Sequence, residues 1–264
     1  MRQAVSWTMS SGNMNAARGP IDHVDAPELG SIEALGGRGA LYLLALVQSH
    51  NQGRRLAPTR DATTSILLVL RALGVIHTDT TATSNVTYGD DALHWSYSWP
   101  AEPYAGLEQR LSDHLATHGR HARFAETWLR IWQELVPPEV TSYLRYHLRA
   151  HGFDTRHEEL LEPILATHAG SFAIGHWRYA CWASVRSMAS KALQHPGDDD
   201  LLSKTLRLEL PRRLRLASNA PGDNLCFSPS YSMSPYMLSI ALATVATDLG
   251  DEVWKSVPNI ELLR

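Results

Sequence analysis

The sequence predicts a mainly helical protein with one small aromatic β-hairpin near its first third, and three observations carry that expectation. Apolar residues recur at three- and four-residue spacing through most of the chain after Tyr104. One stretch, 93–99, alternates with period two instead, and Gly or Pro punctuates the ends of the periodic runs. With 264 residues, 44% hydrophobic and 19% charged, the chain can bury a core without disulfide or metal staples.

In chain order, Met1 to about Gly37 is rich in Ser, Asn, Gly and Ala and has no sustained period, so residues 1–37 are expected to form a poorly ordered arm. Between Gly39 and His50, Leu41, Leu43, Leu44, Ala45, Leu46 and Val47 surround most of a helix, which implies burial on several sides. A second helix runs from Thr59 or Arg60 to Leu73, with Gly74 in the position of a left-handed cap. Leu93, Trp95, Tyr97 and Trp99 alternate with His94, Ser96 and Ser98. With Val86 and Tyr88 ahead of a Gly89-Asp90-Asp91 turn, they make a hairpin from about Ser84 to Trp99.

Helical signals follow. One helix carries Leu107, Leu111 and Leu115. The next carries Phe124, Trp128, Ile131, Trp132 and Leu135 and is expected to stop at Pro137-Pro138. A third carries Val140, Leu144 and Leu148 and stops at Gly152. Pro163 is expected to kink or divide a helix over 157–167. The stripe Trp177, Ala180, Cys181, Ser184, Val185 and Met188 predicts a central helix. Asp200 begins another, ended by Pro211, and Ser234-Pro235 caps a last helix from Met237 to Leu249. The short links favour antiparallel neighbours in a bundle.

The succession helix, short connection, helix closing in Leu73-Gly74-Val75-Ile76, then hairpin resembles the end of a winged helix-turn-helix domain, over about a quarter of the chain. The resemblance implies a small winged-helix-like module at 38–100 followed by a helical domain at 101–264. In that family the last helix lies in the major groove, which makes Arg54, Arg55, Arg60 and Arg71 the nucleic-acid candidates. Two features depart from the pattern. Asn51 to Thr59 is short for the family's second helix, and Ile66-Leu67-Leu68-Val69-Leu70 makes the reading helix apolar over most of its circumference, where base reading needs a polar face. Protein docking or dimerisation is the alternative role for such a module.

Net charge is -3 and the pI about 6.5, so any nucleic-acid role must rest on a local patch. Arg178, Trp182 and Arg186 share one helical face and suit stacking on a base or binding phosphate. Arg145, Arg149 and Arg156 extend that anion-binding possibility, with ion pairs to Glu158, Glu159 and Glu162 as the competing outcome. His114/His118 and His147/His151 are spaced as metal-binding pairs, but no His-Glu-x-x-His accompanies them, and no metal or cofactor is expected. Asp198-Asp199-Asp200 fits a helix cap. Cys226 lies in a Ser/Pro-rich loop without the base that a nucleophile needs. Phosphate-loop, dinucleotide, nucleophile-elbow and paired-cysteine motifs are missing from the sequence.

Two cysteines, and no continuous apolar run from Met1 to Pro20, predict a reducing, cytoplasmic setting; no apolar stretch approaches the ~20 residues of a membrane span. The function these features predict is a non-enzymatic adaptor or regulatory subunit of a bacterial-type intracellular complex that binds protein, with nucleic acid as a further candidate partner. A winged-helix DNA-binding regulator and a metal-dependent enzyme using the paired histidines are the alternatives.

Overall fold

Apolar side chains on every side of one helix require neighbours on every side, and α1 (Gly36–Gln52) has them. Residues Ala40 to Val47 are all buried. In the computed structural model, which describes residues 31–78, 84–88, 91–98, 106–222 and 224–264, α1 packs against α2 (Arg60–Ala72), α3 (Leu107–His118), α4 (Ala125–Ala150) and α8 (Met237–Ala241). The contact with α4 is close at Gly37, where a Cβ would lie 2.9 Å from the Phe124 ring and 3.0 Å from Trp128. A 3-10 turn, Ile32–Leu35, precedes α1 and is capped by the Ser31 hydroxyl. The end of the expected arm is therefore structured, while residues 1–30 lie outside the described residues.

The Thr59 hydroxyl caps α2 by accepting from Ala62 N, and Gly74 follows at φ 69°. The sequence suggested a helix apolar nearly all round, but α2 is two-faced. Thr63, Ile66, Leu67 and Leu70 are buried, while Arg60, Asp61, Thr64, Ser65, Leu68 and Arg71 face solvent. The expected hairpin forms: β2 (Ser84–Tyr88) pairs antiparallel with β3 (Asp91–Tyr97), Val86 opposite Leu93 and Tyr88 opposite Asp91, so Asp91, expected in the turn, belongs to the strand. The expected turn residues Gly89 and Asp90 lie outside the described residues. Trp95 is buried with Tyr97 edge-on at 4.8 Å, while His94 is exposed, as the alternation required. A short β1 (Ile76–His77) adds to the free edge of β3, giving the order β1-β3-β2.

Two helices run through prolines expected to end them. α4 continues across Pro137-Pro138, and α7 (Asp199–Ser218) across Pro211. An interior proline costs about 3 kcal/mol. Beyond the prolines, α4 still buries Val140, Tyr143, Leu144 and Leu148, and α7 still buries Leu214 and Ala217. Each large side chain buried contributes roughly 1.5–3 kcal/mol, so packing outweighs the lost hydrogen bonds.

Pro163 sits in the first turn of α5 (Leu161–His168), where amides lack helical acceptors. The division there falls one turn earlier, at the end of the 3-10 segment Thr155–Leu160. α6 (Ile174–Gln194) lies centrally, against α4 and α7. α8 opens into a π-helical turn, Leu242–Ala246, before Asp248 and Gly250 reverse the chain into α9 (Glu252–Lys255). One continuous apolar core takes in Leu41, Trp95, Trp132, Trp177, Leu210 and Trp254, and so draws on both sides of residue 100. Among the described residues no helix is long and apolar enough to cross a membrane.

Candidate functional site

A cleft of about 1420 Å³ opens between the start of α2, one face of α4, and α5 with the 3-10 segment before it. Four-residue spacing puts Pro137, Thr141, Arg145 and Arg149 in one row on α4, with Pro138, Ser142 and Tyr146 beside them. Arg55, Arg60 and Asp61 close one end. Glu158, Glu159 and Glu162 form the opposite wall, with apolar groups of Leu161, Leu165 and Met233 between. Arg145 crosses the cleft as a two-pronged pair with Glu158, at 2.6 Å from Nε and 2.7 Å from Nη2. Arg149 is exposed and has no ion pair among the described residues.

Behind the α4 wall lies a buried polar group. Arg178 and Glu139 are both fully buried and pair at 2.9 Å; Ser239 Oγ donates to the other Glu139 oxygen at 2.5 Å. Arg178 also donates to the carbonyls of Ser228 and Pro229 and lies 5.1 Å from the Tyr143 ring centroid. Burial pushes the Tyr143 phenol and the Cys181 thiol up, so neither ionises near neutral pH. The Tyr236 hydroxyl meets Ser142 at 2.5 Å, tying the cleft wall to the segment before α8.

The residues singled out from sequence are thus dispersed. Arg178, expected on a surface with Trp182 and Arg186, is interior, because the α6 stripe that carries it is covered by α4 and by the 228–229 loop. Arg186 is exposed, with its guanidinium 4.8 Å from the Trp182 ring centroid, and Trp182 is half-buried against Phe227. Arg54 donates to the Pro235 carbonyl at 2.8 Å. Arg55 and Arg60 line the cleft, and Arg71 lies at the far end of α2, about 16 Å along the axis from Arg60. Arg156 pairs with Asp154 and Asp199.

His114 and His118 stack at 4.7 Å, and burial followed by the neighbouring His118 pulls the His114 pKa down. His147 is buried, its pKa lowered to about 4, whereas the exposed His151 stacks on Phe153. Among the described residues no group of three His, Cys, Asp or Glu side chains converges to hold a metal. Asp198 caps α7 through Leu201 N at 2.9 Å, and the Cys226 thiol is buried toward the Trp254 carbonyl. The cleft's joining of Arg55 and Arg60 to Arg145, Arg149 and three glutamates was not visible in the chain. Its one signal is the unbroken four-residue series Trp128, Trp132, Val136, Val140, Leu144, Leu148, which stays in phase across the two prolines. Comparison with protein-family models, curated proteins and solved structures finds no match to this chain.

Proposed function

We propose that the protein is a non-enzymatic adaptor or regulatory subunit of a bacterial-type intracellular complex, and that the cleft holds a segment of its protein partner. What supports this reading is that Arg55, Arg60, Arg145 and Arg149 share the cleft with Asp61, Glu158, Glu159 and Glu162 around apolar groups. Four carboxylates beside four arginines repel a phosphate backbone about as much as they attract it. An amphipathic protein segment with acids along one side and bases along the other meets favourable charge on both walls. Pro137 and Pro138 weaken the helix that carries them and line this same wall, which suits a site shaped for recognition. The winged-helix-like module of α1, α2 and the hairpin supplies the end of the cleft, in a docking role.

The test is affinity purification from the native cell with nuclease present, comparing the natural protein with Arg149→Glu and Glu162→Arg. A partner retained by the natural protein should be held about tenfold less well by each reversal. A partner that nuclease releases, or that both variants hold normally, contradicts the reading. DNA regulation is the second reading, favoured by the solvent-facing Thr64, Ser65 and Arg71 of α2. It requires duplex binding that weakens with salt and with Arg71→Ala in a gel-shift series.

A further inference from the structure

The outward face of α7 lies apart from the cleft and has its own pattern. Inward, Leu202, Leu206, Leu210 and Leu214 are buried. Outward, Lys204, Arg207, Leu208, Arg212, Arg215 and Leu216 are all exposed, Leu208 at 63% and Leu216 at 46%. Steps of three and four residues place these six on one half of the helix circumference.

Between Leu201 and Asn219 five cations meet one acid, Glu209, in a chain of net charge -3. Glu209 is engaged by its helix neighbours, with Arg213 at 2.9 Å and Arg212 also paired to it. Lys204, Arg207 and Arg215 form no ion pair among the described residues. Beside this face Tyr179 of α6 packs with Ala217 of α7, its ring 5.6 Å from Phe227 and 6.2 Å from Trp182.

We infer that this face docks an acidic amphipathic segment of another protein, one that sets carboxylates beside apolar side chains at helical spacing. The cations select the sign of the partner, and the leucines select its class. A phosphate backbone offers leucine no apolar surface. In a membrane, Arg212 stands one turn from both Leu208 and Leu216, so inserting the leucines carries a guanidinium below the headgroups. Carboxylates interleaved with apolar groups satisfy both halves of the pattern, and arginine is among the residues enriched where interfaces carry their energy.

The test titrates the full-length protein with a labelled synthetic helix as long as α7, 20 residues, with Glu and Leu at alternating three- and four-residue steps. Competitors are its glutamine counterpart, a single-stranded oligonucleotide, duplex DNA, and vesicles containing phosphatidylserine. The Glu/Leu helix should bind tightest and weaken with salt, and both Arg207→Ser with Arg215→Ser and Leu208→Ser should reduce its affinity about tenfold. All three positions face solvent, so an unchanged thermal unfolding curve checks that the variants fold. Arg149→Glu in the cleft should leave this affinity unchanged, which separates the inference from the cleft reading. Equal binding of the glutamine counterpart, tighter binding of nucleic acid or vesicles, or normal binding by the α7 variants overturns it.

Discussion

Arg178 is the residue whose position departs furthest from its sequence reading, and its burial defines a measurable consequence. A guanidinium with no solvent exposure is tolerated only because Glu139 neutralises it and two carbonyls accept its protons. Glu139→Gln should therefore cost about 3–5 kcal/mol in urea denaturation, because it leaves that charge uncompensated. Glu139→Leu combined with Arg178→Met should cost less than Glu139→Gln alone.

His147 gives a pH dependence. Burial lowers its pKa from 6.5 to about 4, so the unfolded chain takes up a proton that the folded chain refuses. Stability then falls as pH drops from about 6.5 toward 4, by on the order of 3 kcal/mol at most. His147→Leu should flatten that part of the stability curve. Neither burial was legible in the sequence, since a polar residue beside an apolar stripe belongs to the core or to its margin according to what covers it.

At the scale of the element, α4 and α7 show where local rules lose to packing. A proline pair removes two amide donors and ordinarily ends a helix, yet the buried series on both sides of Pro137 and Pro138 keeps one helical phase. Replacing both with alanine should raise the unfolding free energy by about 1–3 kcal/mol per site, read from urea midpoints. The same change should weaken partner retention if the prolines shape the cleft wall. α2 shows the converse. Its Ile66–Leu70 run reads as apolar all round, but with a step of 100° per residue Leu68 turns outward while Ile66, Leu67 and Leu70 turn in.

For the whole molecule, the position of α1 decides cooperativity. It is buried by α2 on one hand and by α3, α4 and α8 on the other, so a chain cut at residue 100 exposes leucines now at zero accessibility. The full protein should unfold in one transition, with circular dichroism and tryptophan fluorescence coincident, and the isolated 38–100 segment should show no cooperative transition. The sequence alone determined the mainly helical class, the hairpin, the cap at Asp198, and the buried leucine stripes. Each of these depends on side-chain periodicity or on backbone groups a few residues apart. Tertiary structure decided that α4 runs unbroken through its prolines, that Arg178 is interior, and that Arg55 and Arg60 meet Arg149 and Glu162 across a cleft. Those outcomes depend on contacts between segments far apart in the chain, 39 residues for Arg178 and Glu139 and more for the two ends of the cleft, whose free energy no local pattern contains.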